Sequence, residues 1–179
     1  RSLDRMIGAI VDTLGEKREN TAIFFFSDNG YAYGEHRNRA KNCLYEECIR
    51  VPFIISYPKL TPKAVTVQGL VSANIDTAAT ILEIAGVTPP REINGKSLVG
   101  VLQNATTTIR DAVLIEANHN KTKSKNYGIR TGQYKYIEHG TGERELYDLI
   151  QDPFEMTNVA GQPAYADVVL DLSKRLKEM

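Results

Sequence analysis

Phe24-Phe25-Phe26-Ser27-Asp28-Asn29-Gly30 is the stretch on which the reading of this chain turns. From Thr21 to Phe26 only Thr21 is polar, the pattern of a strand covered on both faces, as in a parallel sheet. The run then stops at two oxygen-bearing side chains and a glycine. In open α/β sheets, function collects just beyond the carboxyl ends of the strands. There Asp28 offers a carboxylate and Asn29 a neutral amide oxygen, the hard ligands that Ca²⁺ or Mg²⁺ takes. Gly30 can turn the chain away with φ > 0 where that is needed. On these three residues alone, an Asn-Gly turn beside a solvated aspartate is the competing reading.

The next segments add cations. Gly34-Glu35-His36-Arg37 is followed by Arg39 and Lys41, then by Tyr45-Glu46-Glu47-Cys48-Ile49-Arg50-Val51-Pro52. A strand end with a hard-metal pair, followed by a histidine, a lysine and several arginines, suits an anionic ligand held on a cation. The ordered series resembles the sulfatase family of the alkaline phosphatase superfamily. The resemblance continues through Asn74-Ile75-Asp76-Thr77, Asn94-Gly95-Lys96-Ser97-Leu98, Ile129-Arg130-Thr131-Gly132, Glu145-Leu146-Tyr147-Asp148-Leu149 and Asp152-Pro153, and so covers nearly the whole chain.

That resemblance implies an α/β fold. Residues 1–110 would form part of an alkaline-phosphatase-like mixed or parallel sheet with flanking helices, and belong to the catalytic domain. Residues 111–179 would form an accessory subdomain, a small antiparallel sheet with a C-terminal helix. It implies a metal-dependent hydrolase of sulfate esters, with a sulfated sugar or aryl sulfate as substrate. Asp28 and Asn29 are then metal ligands, for Ca²⁺ with Mg²⁺ as the alternative. Lys41 is the sulfate-binding and catalytic lysine, able to bridge a sulfate oxygen and the leaving oxygen. His36 either donates to the sulfate and serves as a catalytic group, or orders its loop. Arg37 and Arg39 would read a carboxylate or second sulfate on the substrate. Glu46 and Arg50 are expected to form an ion pair behind Lys41, Tyr45 to pack, and Asp76 to cap a helix or support the site. His139 is expected to pack or face solvent, and Asn118-His119-Asn120 is a candidate specificity loop.

The family's nucleophile is a formylglycine made from the first residue of a Cys/Ser-x-Pro-x-Arg motif. Neither Cys43 nor Cys48 begins such a motif, and the paired aspartates that complete the family's metal site are also absent. The resemblance therefore implies the C-terminal part of a sulfatase, inactive without a missing N-terminal half. Two other readings stay open. One is phosphodiester or phosphonate-monoester hydrolysis by a relative in the same superfamily, against which Asn29 weighs, since such enzymes often carry His there. The other is a non-catalytic glycan-binding module. Family members are mostly exported to the periplasm, outside the cell or to lysosomes.

Composition excludes other classes. The 179 residues are 42% hydrophobic and 25% charged with zero formal net charge, so a core is affordable and no basic field marks nucleic-acid binding. No apolar run approaches the ~18 residues that span a bilayer. Arg1-Ser2-Leu3-Asp4 is no signal peptide and fits a chain cut from something longer. Free thiols are the expectation for Cys43 and Cys48; a mutual disulfide or a bond to the absent half is the alternative.

Leu3, Met6, Ile7, Ile10, Val11 and Leu14 recur at helical spacing, with Ser2 as N-cap and Gly15 at the stop. A second buried strand is expected over Val51–Ser56. Asp76–Ala85 reads as a helix with Ala78, Ala79, Ile81, Leu82 and Ala85 inward and Gly86 at its end. Ala112–Ala117, Tyr127–Arg130, Tyr134–Glu138 and Glu145–Leu149 read as short strands, with a tight turn at Gly132-Gln133. A last helix starts near Pro163 and turns Val168, Val169, Leu172 and Leu176 to the sheet. An apolar Phe24–Phe26 strand without cover is an aggregation site. Residues 1–179 expressed alone are expected to bind an apolar dye and to self-associate. A monodisperse sample with a sharp two-state melt and no dye binding would contradict this.

Overall fold

The computed structural model describes residues 1–61, 64–67, 71–105, 108–118 and 125–179. Helix α1, Ser2–Thr13, forms where the apolar spacing predicts. Ser2 lies inside its first turn instead of capping it, because the Arg5 N–H already bonds the Arg1 carbonyl. The apolar face of α1 is bare in this chain: Leu3, Met6 and Ile10 are 59%, 63% and 64% exposed. A 3₁₀ turn over Gly15–Asn20 leads into β1, Ile23–Phe26.

Strand β1 ends at the Asp28 loop, as its sequence predicts. The hairpin pair β2, Ala32–Tyr33, and β3, Arg39–Ala40, follows, then the one-turn helix α2, Glu46–Ile49, and β4, Phe53–Ser56. β1 and β4 are antiparallel neighbours, with Phe24 opposite Ile55 and Phe25 opposite Ile54. The parallel neighbours that the phenylalanine run was read to need are not among the described strands. An all-apolar strand reports two faces to be covered, not strand direction. The rings of Phe26 and Phe53 meet edge-on at 5.8 Å.

Helix α3, Ile75–Ala85, stops at Gly86 in the left-handed region, where the Gly86 and Val87 N–H groups donate to the Glu83 and Leu82 carbonyls. Its inward face differs from the expected one. Asp76, Thr77, Ala79 and Thr80 are buried, whereas Ala78, Ile81 and Ala85 are exposed. Polar bonds set the rotation: Thr80 Oγ1 donates to the Asp76 carbonyl and accepts the Leu98 N–H that precedes α4, Val99–Gln103.

The second sheet is an antiparallel meander of β5 (Ala112–Asn118), β6 (Lys125–Thr131), β7 (Tyr134–Glu138) and β8 (Arg144–Asp148), in that order. Thr131 Oγ1 accepts the Tyr134 N–H at 2.8 Å across the Gly132-Gln133 turn. Strand alternation gives the sheet two covered faces. On one, Ile129, Tyr136 and Leu146 pack under Leu172 and Leu176 of α5, Ala166–Glu178, with Val168 and Val169 alongside. On the other, Ile137 and Tyr147 pack under Leu44 and Tyr45.

Lys135 lies on that second face and is fully buried. Its Nζ is 2.6 Å from Glu155 Oε1 and 3.0 Å from Glu46 Oε1, while Arg130 reaches the other Glu46 oxygen at 3.5 Å. Glu155 Oε2 also accepts the Glu46 N–H at 2.7 Å. The expected Glu46–Arg50 ion pair is therefore replaced. Lys135 and Arg130 come up from the sheet beneath Glu46, and Arg50 is left exposed. Lys135→Met would strand two buried carboxylates with one cation between them. We expect a loss of ~3–5 kcal/mol in urea unfolding; a loss below ~1 kcal/mol would mean that the cluster behaves as a surface pair.

Candidate active site

The loop after β1 is fixed atom by atom. Ser27 Oγ donates to the Asn29 carbonyl at 2.8 Å, and the Asn29 N–H donates to Asp28 Oδ1 at 2.9 Å. Asn29 Nδ2 donates to the Gly30 carbonyl at 2.7 Å, which leaves Oδ1 as the amide atom with ligand capacity. The Gly30 N–H donates to the Cys48 carbonyl at 2.8 Å. Gly30 is required for close approach and not for a positive φ: a Cβ there would overlap the Glu47 carbonyl oxygen. The candidate metal loop thus sits on the backbone of α2.

The β2–β3 hairpin sits on α2 as well. Ala32 is buried against Cys43 and Cys48, and these two form a disulfide with Cα atoms 5.7 Å apart. Free thiols were the expectation; the helical turn Glu46–Ile49 folds Cys48 back onto Cys43, a juxtaposition that spacing alone does not disclose. The hairpin loop holds His36 and Arg37 at φ 51° and 57°, with Ala40 at 81°. Each such residue costs about 1–3 kcal/mol and persists only where its surroundings over-determine it. For His36 they do. Its ring stacks on Tyr45 at 3.9 Å with 11° between planes, and Nε2 lies 3.6 Å from Glu47 Oε2. Arg37, Arg39 and Lys41 are exposed and have no carboxylate partner among the described residues.

Behind His36 runs a bonded chain. Tyr45 and Tyr147 hydroxyls donate to Glu145 at 3.0 and 2.8 Å, and His139 Nε2 lies 2.8 Å from the same carboxylate. His139 is thus an ion-pair partner and not a free surface ring. Burial and the adjacent Glu145 charge push both phenols above their ordinary range. The bond to Glu145 raises the His139 pKa, against the opposing effect of burial.

Helix α3 completes the frame. Asp76 is fully buried, accepts the Ala73 and Lys96 N–H groups at 2.8 Å each, and holds Arg110 by both oxygens. Burial would raise its carboxyl, but Arg110 and the two N–H bonds outweigh it and hold the pKa below the usual range. Two residues earlier, Asn74 Nδ2 donates to the Asp28 carbonyl at 2.9 Å and to the Ser27 carbonyl at 3.3 Å. In the sequence Asn74 stands only within the Asn74-Ile75-Asp76-Thr77 motif, and nothing in local spacing ties it to a loop 46 residues away. His119 and Asn120 of the candidate specificity loop lie outside the described residues.

Asp28 and Asn29 carry the oxygen donor types that a hard cation takes, and Arg37, Arg39 and Lys41 add exposed cationic groups on and just after the β2–β3 hairpin. Residues 34–179 match the family model for the C-terminal region of N-sulphoglucosamine sulphohydrolase. The chain belongs to the sulfatase family. It is 37% identical to an N-acetylglucosamine-6-O-sulfatase of Bacteroides thetaiotaomicron, over 99% of this chain and 33% of that protein. It is 30% identical to mouse arylsulfatase K, over 98% of this chain and 33% of that protein. A protein solved with its substrate D-glucosamine-2-N,6-O-disulfate superposes with a TM-score of 0.88 at 37% identity, over 98% of this chain and 37% of the other. The phosphonate monoester hydrolase of Agrobacterium radiobacter superposes at 0.83 with 25% identity, over 98% and 38%. This sulfatase chain therefore spans about a third of the length of the curated relatives it matches. Its neighbours carry the alkaline-phosphatase-like fold, as its motifs imply.

The His139–Glu145 pair has a testable sign. Because the folded-state pKa of His139 is raised, its stabilisation is complete below the unfolded value near 6.5 and is lost as pH rises through the folded value. Melting temperature should therefore fall across that interval, and His139→Gln should flatten the fall. A profile equally steep in the variant would assign the dependence to another group.

Proposed function

We propose that this chain supplies one cation-binding half-shell and the sulfate-facing lysine of a sulfatase acting on sulfated sugars. The observation that supports it most is the shared seat on α2. The Asp28–Asn29 loop bonds to it through Gly30, the hairpin leading to Lys41 packs on its disulfide, and His36 pairs with Glu47. The glucosamine sulfates named for two relatives favour an amino-sugar sulfate as substrate.

Asp28 and Asn29 fit a hard divalent ion by donor type, with Ca²⁺ preferred over Mg²⁺. Two side-chain oxygens fall short of the about six to eight that Ca²⁺ takes, so the remaining ligands and the formylglycine nucleophile come from residues outside this chain. Residues 1–179 alone then have no turnover. A divalent ion held by Asp28 and Asn29 would supply Lewis-acid polarisation of the sulfate oxygens and stabilise charge that develops in the transition state. Lys41 brings a compact, rotatable ammonium to a sulfate oxygen and to the leaving oxygen, where it stabilises the negative charge that develops as the ester bond breaks. Arg37 and Arg39 face further anionic groups of the substrate with forked donors. His36, held between Tyr45 and Glu47, keeps the hairpin loop in place and presents an imidazole on the substrate side. Among the described residues no helix is long and apolar enough to cross a membrane. Membership of the sulfatase family supports an exported enzyme of the periplasm, extracellular space or lysosome.

The likeness to a phosphonate monoester hydrolase supports a second reading, phosphodiester or phosphonate-ester hydrolysis by the same groups. Turnover of glucosamine 6-O-sulfate and of an aryl phosphodiester by the full-length protein distinguishes the two. On the sulfate ester, Lys41→Ala and Asp28→Ala should each lower kcat/KM by ~10²–10³. Losses under tenfold in both, or faster turnover of the phosphodiester, would overturn the sulfatase assignment of these residues.

A further inference from the structure

We infer that Asn74 is a positioning residue for the Asp28–Asn29 cation pair; this rests on the reading of that pair as metal ligands. The argument is geometric. The direction in which a side chain leaves the backbone is set by the two peptide planes that flank its Cα. The Ser27 carbonyl belongs to the plane before Asp28 and the Asp28 carbonyl to the plane after it. The single Nδ2 of Asn74 donates to both, at 3.3 and 2.9 Å. One amide group therefore fixes φ and ψ of Asp28 and with them the exit of its carboxylate. The plane after Asn29 is pinned independently, by Ser27 Oγ on its carbonyl oxygen and by the Gly30 N–H on Cys48.

Asn74 is free for this task and well anchored. Asparagine at the start of a helix ordinarily turns its side chain back to the helix's own N–H groups. Asn74 occupies that position on α3 but makes no side-chain cap bond there. Its backbone is held by the Thr77 N–H on its carbonyl, and two residues on by the buried Asp76 with Arg110, Ala73 and Lys96. Gly95 lies against the Ile75 carbonyl so closely that a Cβ would collide with it, which locks the first turn of α3 from the outside. Partners of metal ligands placed this way typically control affinity by about 10–100-fold.

The test is calcium titration by calorimetry of the chelator-treated full-length protein, with melting of the metal-free form in parallel. Asn74→Ser retains a good capping residue but cannot bridge the two carbonyls. Asn74→Asp is isosteric but faces them with a carboxylate. Positioning predicts calcium Kd raised about 10–100-fold in both, with the metal-free melting temperature little changed. The Asp variant is the sharper probe, since added negative charge beside a cation would by itself tighten binding. Parent-like affinity in Asn74→Ser, or tighter binding in Asn74→Asp, overturns the inference. So does a drop in metal-free melting temperature with calcium affinity intact, which would make Asn74 a purely structural bond. An Asp28→Ala variant that binds calcium as the parent does would instead remove the metal reading of the pair, and this inference with it.

Discussion

The buried contact between Lys135, Glu155 and Glu46 is the constraint on which the remaining geometry depends. A fully buried ammonium is tolerable only when its carboxylates are equally well placed, because each ion has lost its water. Here the requirement is met from three separate stretches: β7 provides Lys135, α2 provides Glu46, and the segment after β8 provides Glu155. Burial pushes the Glu155 carboxyl up and the neighbouring Glu46 charge adds to this, with Lys135 and the Glu46 N–H opposing. Glu155 adopts φ 55° to reach the spot, a left-handed conformation that a bulky residue rarely accepts. Local backbone comfort has yielded to charge pairing.

Through Glu46 that cluster fixes the start of α2, and α2 is where the Asp28 loop and the β2–β3 hairpin converge. The helix is only a turn long, too short for intrinsic stability. It is held by the sheet below through ion pairs and by the disulfide from the side, and Gly30 presses on its last carbonyls. A small antiparallel sheet that carries none of Asp28, Asn29, His36, Arg37, Arg39 or Lys41 thus determines where the Asp28 loop and the hairpin before Lys41 come to rest. The second sheet is a foundation, and its charged underside is the joint.

Much of this was legible in the residues. Strand alternation and turn chemistry place the meander β5–β8 within a residue or two, because both of its faces are covered inside this chain, and place the start of α5 three residues early, where Pro163–Tyr165 forms a 3₁₀ turn. Helices α1 and α3, whose apolar faces are bare here, were legible in extent, but the inward face of α3 was not. On α3 the polar residues Asp76 and Thr80 are inside, and hydrophobic spacing cannot announce a buried Arg110 some 34 residues away. The same limit applies to Glu46: its sequence neighbour Arg50 was the obvious partner, yet Lys135 and Arg130 hold it. Asp28, Asn29 and Lys41 stood out because their residue types recur in a known order. Asn74, which carries no chemistry of its own, did not.

The Cys43–Cys48 bond also narrows the donor chemistry around this loop region. With both sulfurs sealed, the described residues present no thiolate at all. Soft ions such as Cu⁺, and the borderline Zn²⁺ that favours thiolate cages, find only oxygen beside Asp28 and one imidazole pressed flat on Tyr45. A floor built from two reduced cysteines would have placed competing soft ligands under the hairpin. Oxidising them leaves oxygen and imidazole as the donors there, so that the same covalent link that shapes the loop also removes its soft ligands.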